Sequence, residues 1–182
     1  MALNVSAIQG DSTAARRACG TCTLCCKVFS IPEFNKLRGV WCPHCKQGAG
    51  CRIYEARPDR CRDYVCGWLA DNSIPEEWKP ERSKIVLSFS RDNGYIYAVV
   101  DPGYPKAWRN APYYDQLRRW AASLIDKERY VIVSIKQAST LILPDGPFFL
   151  GDGKPSYNFR VHQGSNPAGT IYRVEMLDDE QS

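Results

Sequence analysis

Between residues 83 and 177, hydrophobic and polar positions follow the periods of strands and helices. "KIVLSFS" (84–90) and "GYIYAVVD" (94–101) alternate or run apolar, rich in β-branched and aromatic residues, and predict two strands. The turn signal "RDNG" separates them, so they read as a hairpin. In "PYYDQLRRWAASLIDKE", Tyr114, Leu117, Trp120, Ala121 and Leu124 recur at spacings of three and four. That period predicts an amphipathic helix, with Pro112 suited to its first turn. "YVIVSI" and "STLILP" predict two further strands, and "YNFRVH" and "TIYRVEML" are weaker strand patterns. "DGPFFLGDGKP" (145–155) reads as a functional loop or a structured turn. The order β-β-α-β-β predicts an antiparallel or mixed sheet with one main helix on a face.

The stretch before residue 83 is set apart by cysteine. The expected fold is therefore α+β: a cysteine-rich, metal-stabilised N-terminal region packed on or beside a small antiparallel or mixed sheet. Three parts follow: a leader at 1–15, the cysteine-rich region at 16–80, and an α+β region at 81–182 with no role assigned. "SIPEEWKPERS" (73–83), rich in proline and charge, reads as the connector.

Composition narrows the class. Apolar residues make up 44% and aromatics 12%, enough for a sizeable core and unlike a disordered chain. No apolar run approaches the roughly 20 residues of a transmembrane helix. The first residues lack the charged and apolar regions of a secretory signal. The expectation is a cytoplasmic protein without a membrane partner.

Nine cysteines stand at 19, 22, 25, 26, 42, 45, 51, 61 and 66, and none follows. An odd count in a reducing compartment argues against a disulfide framework, and clustered CxxC steps point to metal. Cys19, Cys22, Cys25 and Cys26 form two overlapping steps, and Cys42 with Cys45 forms another knuckle. Cys51 follows Gly48 and Gly50. Cys61 and Cys66 are spaced so that a helix would carry them on nearly one face. All nine are candidate ligands. Zinc takes four thiolate or imidazole ligands, and iron–sulfur clusters also use thiolates, so spacing leaves both open, with zinc favoured. Eight thiolates would close two zinc sites and leave one over; nine would close a three-zinc cluster with bridging sulfurs.

Charge supplies a third reading. Residues 16–66 carry ten Lys/Arg against four Asp/Glu, a formal +6. Such an excess suits nucleic acid. It equally offsets metal thiolates, since each zinc with four thiolates carries −2, and this account is favoured. Among single residues, His44 is expected exposed between two better donors, and His162 ordinary. Ile53 and Tyr54 are expected to pack beside the metal site. Arg57 and Arg60 are expected to bond thiolates or carbonyls, or to be solvated or salt-bridged. Trp41, Trp68 and Trp78 are expected to be buried beside the cluster rather than stacked on bases. No catalytic acid–base pair or nucleophile stands out.

Cys19, Cys22, Cys25 and Cys26, then Cys42, then "CRIYEARPDRCRDYVC" with Cys51, Cys61 and Cys66, resemble the CxxCxxCC cysteine-cluster family, the YkgJ-type zinc- or iron-chelating domain. The resemblance covers 19–66, and Cys45 in "WCPHC" looks like a subfamily variant. It implies metal binding through the cysteines without an agreed activity. Members carry iron–sulfur oxidoreductase labels, and flagellin lysine N-methylase has a similar cluster. This chain shows no glycine-rich S-adenosylmethionine loop to go with it. From residue 83 onward the chain resembles no family.

Overall fold

The computed structural model describes residues 17–153 and 157–177. The expected leader, 1–15, lies outside the described residues, as does the end of the 145–155 stretch. The cysteine-rich part is built of one-turn helices and two-residue strands: α1 (Cys25–Val28), β1 (Cys45–Lys46), β2 (Gly50–Cys51), α2 (Asp59–Arg62), α3 (Gly67–Ala70) and α4 (Pro80–Ser83). Elements this short are marginal alone and depend on what they pack against.

The rest is regular. β3 (Ile85–Phe89) pairs antiparallel with β4 (Ile96–Val100), in the predicted hairpin. The turn between them is tied by Tyr95 N–H donating to Asn93 Oδ1 at 2.9 Å. The predicted helix is α5 (Tyr113–Leu124), with Pro112 immediately before it and Leu117, Trp120, Ala121 and Leu124 buried. β5 (Val131–Ile135) and β6 (Ala138–Ile142) follow as predicted. The weaker patterns form a further hairpin, β8 (Phe159–Asn166) with β9 (Gly169–Met176).

"PFFLG", read from sequence inside a loop or turn, is instead a strand, β7 (Pro147–Gly151), paired antiparallel with β6. Its side chains explain the error: Pro147 and Phe149 are exposed and only Leu150 is buried, so no clean alternation marks it. It is an edge strand, where proline is tolerated.

The main sheet runs β3-β4-β5-β6-β7 and is mixed, because β4 and β5 pair in parallel. A parallel pair needs a crossover, and α5 provides it. The sheet is covered on both faces. On one, α5 packs with Ile85, Leu87, Ile96, Ala98, Val100, Val131 and Val133. The same cluster takes in Leu24, Val28, Cys66, Trp68, Ile74 and Trp78, so the cysteine-rich part shares its core with the sheet. Ile74 and Trp78, in the stretch read as a connector, are each only 1% exposed. Burying a side chain of this kind stabilises by about 1.5–3 kcal/mol. On the other face, Tyr130, Ile132, Leu141, Leu143 and Leu150 lie beneath Phe159, Val161, Tyr172 and Val174 of the β8–β9 hairpin. Among the described residues, no helix is long and apolar enough to cross a membrane.

Candidate functional site

Short local hydrogen bonds place the cysteines. Cys22 N–H donates to Cys19 O at 2.9 Å, and Cys26 N–H to Thr23 O at 3.0 Å, leading into α1. The next segment is stitched to the first by Cys42 N–H donating to Cys26 O at 3.0 Å. Cys45 then stands opposite Cys51 in the β1–β2 hairpin. Its turn needs φ of +70° at Gly48 and +115° at Gly50, which glycine adopts without steric cost. Gly48 N–H reaches back to Thr23 Oγ1 at 3.2 Å. Cys61 rides on α2, entered after Pro58, and Cys66 lies buried just before α3. The helical face expected to join Cys61 and Cys66 does not form, because α2 ends at Arg62 and the chain turns.

All nine cysteines are free thiols. Seven of them, all except Cys45 and Cys66, line one cavity of about 410 Å³. Their mutual electrostatics define two neighbourhoods. Cys66 feels Cys19 and Cys22, and the Tyr64 phenol feels Cys66, Cys25 and Cys19. On the other side Cys61 feels Cys26, Cys42 and Cys51, and Cys45 feels Cys26 and Cys42. Cys26 joins the two: its thiol is hydrogen-bonded to Cys25 on one side and Cys45 on the other, and it also acts on Cys19.

Burial pushes the Cys19, Cys22, Cys61 and Cys66 thiols above their ordinary range. Burial likewise carries Cys45 up to about 11. For Cys26 the hydrogen bond with Cys25 is the larger cause, with burial second. These groups are therefore protonated at neutral pH in the metal-free chain, and a metal would have to displace those protons.

Three cationic residues missed in the sequence hold this arrangement. Lys36 is 5% exposed. Its ammonium donates to Lys27 O at 2.7 Å and to Phe29 O, carbonyls at the C-terminal end of α1. It feels Cys42, Cys26, Cys25 and Cys61, while burial lowers its pKa. Lys27, next to Cys26, pairs with Asp101 after β4 at 2.6 Å. Arg17 donates to Trp68 O at 2.8 Å, Asp71 O at 3.1 Å, Asn72 O at 3.3 Å and Ile74 O at 2.7 Å. That clamp fastens the chain entering Cys19 to the loop beyond Cys66. No spacing rule marks these residues; their partners are up to 74 positions away.

His44 is half-buried, with its ring 4.7 Å from Phe34. His162 is exposed and pairs with Glu175 at 2.8 Å. Ile53 and Tyr54 both line the cavity, although Tyr54 stays 58% exposed, with the Arg57 guanidinium 3.6 Å from its ring centroid. Arg57 Nε bonds Tyr54 O at 2.8 Å, and Arg60 pairs with Glu33 at 3.0 Å. Trp68 and Trp78 are buried, which removes them as base-stacking platforms; Trp41 is half-buried, 5.4 Å from the Lys27 ammonium.

Among the described residues, no three or more Cys, His, Asp or Glu side chains converge in an arrangement that would hold a metal ion. The sulfurs gather around the cavity rather than on one point. The donor set is nonetheless soft sulfur throughout, the chemistry that zinc and iron–sulfur clusters take. No protein-family model, curated protein or solved structure matches the chain.

Proposed function

We propose that this chain is a metal-binding protein whose cysteines hold zinc in a mainly structural role. The observation that supports it is that seven cysteines from separate segments line one cavity, with Cys45 interacting with Cys26 and Cys66 with Cys19 and Cys22. The resemblance to the CxxCxxCC family points the same way. The two electrostatic neighbourhoods suggest the ligand sets. Cys19, Cys22, Cys25 and Cys66 would hold one ion. Four of Cys26, Cys42, Cys45, Cys51 and Cys61 would hold a second. Zinc closed by four thiolates adds folding energy directly, which suits one-turn helices and two-residue strands. Lys36 offsets part of the thiolate charge.

An iron–sulfur reading is favoured by one feature, the Cys19-x2-Cys22-x2-Cys25 run, a spacing that also carries cubane clusters. Metal analysis of anaerobically purified protein separates the two. We expect colourless protein with two zinc per chain, Cys66→Ser losing one ion and the double variant C26S/C61S, which leaves only three candidate ligands, losing the other. Brown protein absorbing near ~400 nm would replace zinc with an iron–sulfur cluster. Protein that binds neither metal would refute metal binding altogether.

A further inference from the structure

The cavity is larger than its sulfurs require. Zinc takes four thiolates at about 2.3 Å and fills little space. A volume of about 410 Å³ lies instead in the range of small-molecule pockets, roughly 300–1,000 Å³. Its lining is of two kinds. Seven of the residues are cysteines. Others are Phe29, Ile31, Phe34 and Ile53, which have nothing to offer a metal. Tyr64 also lines it, but its hydroxyl is engaged by Ser88 Oγ at 2.8 Å.

Three arginines, Arg38, Arg57 and Arg60, complete the lining, and they are not equivalent. Arg60 is neutralised by Glu33. Arg57 uses Nε on Tyr54 O, and its terminal nitrogens have no hydrogen-bond partner among the described residues. It still acts on Cys19. Arg38 has neither a hydrogen bond nor an ion pair among the described residues. The charge facing Cys25, Cys26, Cys42 and Cys61 comes from Lys36 instead. Two guanidinium groups with unused donors thus border an apolar chamber. Guanidinium recognises carboxylate through paired hydrogen bonds.

We propose that the cavity is a binding pocket for a small organic carboxylate. Arg38 and Arg57 take its charged end, and Phe29, Ile31, Phe34 and Ile53 take its apolar body. This rests on the metal reading only for the cysteine part of the lining, where metal thiolates would replace free thiols.

The test uses the full chain as isolated, with its metal content measured on the same sample. Benzoate and its neutral analogue benzamide are titrated separately, and backbone amide shifts are followed by NMR. The expected result is saturable benzoate binding that moves the amides of Phe34 and Ile53, with benzamide at least about tenfold weaker, the loss expected when a charge-assisted bond is removed. The double variant R38Q/R57Q should bind the two probes equally weakly. Equal affinity of the wild-type chain for both probes overturns the proposal, as does benzoate binding that moves other surfaces only. The wild-type comparison decides even if the variant fails to fold. Zinc-loaded protein without discrimination sinks the pocket and leaves the metal reading standing; discrimination by metal-free protein does the reverse.

Discussion

Asp101→Asn should loosen the cysteine-rich part from the sheet. Asp101 sits just after β4, and its carboxylate receives the Lys27 ammonium at 2.6 Å. The two side chains are 6% and 16% exposed, so neither end is well solvated. At an effective dielectric of 20, the attraction at this distance is roughly 6 kcal/mol before desolvation. Desolvation of both ions cancels much of it, so the pair itself contributes little net stability. The asparagine keeps an oxygen for Gly103 N–H, which donates to Asp101 Oδ1 at 2.8 Å, and removes only the charge. The ammonium is then left nearly buried and uncompensated. Breaking a buried pair in this way costs about 3–5 kcal/mol, and the residual exposure of Lys27 places the expected loss near the low end, about 3 kcal/mol. Urea unfolding of wild type, D101N, K27M and K27M/D101N gives the coupling energy through a double-mutant cycle. All four proteins must carry equal metal, because a bound ion adds stability by mass action. A D101N midpoint within the error of wild type, or additive single losses, would refute the reasoning.

Three further substitutions probe other contacts, one of them as a control. A Cβ on Gly67 would lie 2.9 Å from Leu87 Cβ and 3.0 Å from two ring carbons of Phe89, so Gly67→Ala should destabilise by about 1–3 kcal/mol through overpacking. Gly146→Ala, with nothing within 4 Å, is the control expected to be neutral, and similar unfolding midpoints for the two would contradict the packing account. Burial, with Tyr130 and Tyr97 nearby, pushes the Tyr95 phenol up to about 12. The unfolded chain releases that proton near 10, so Tyr95 contributes full stability below pH 10 and loses it as pH rises towards 12. Tyr95→Phe should therefore flatten the fall in stability above pH 10; parallel curves for wild type and variant would count against it.

Much of the scaffold was legible in the chain because its signals are local. The first hairpin follows from two β-rich runs around "RDNG", and α5 from Leu117, Trp120, Ala121 and Leu124 at helical spacing. The edge strand β7 escaped because half of it faces outward, and its identity lies in pairing with β6 rather than in its own pattern. Within the candidate site, the nine cysteines were visible as a set, but their grouping was not. Cys66 lies near Cys19 and Cys22 across more than forty residues of chain, while its neighbour Cys61 faces the other group.

By itself, then, the sequence determined the segments that form β3, β4, α5, β5, β6, β8 and β9, and that sulfur is the dominant chemistry of the first third. Both depend on periods and residue types that can be read within a few positions. Only the tertiary structure decided that the cysteine-rich part shares a core with the sheet. It alone buried Lys36 among the cysteines, paired Lys27 with Asp101, and left Arg38 without a partner among the described residues beside Phe29, Ile31, Phe34 and Ile53. Those outcomes depend on which distant segments exclude water from one another, and no local pattern records that.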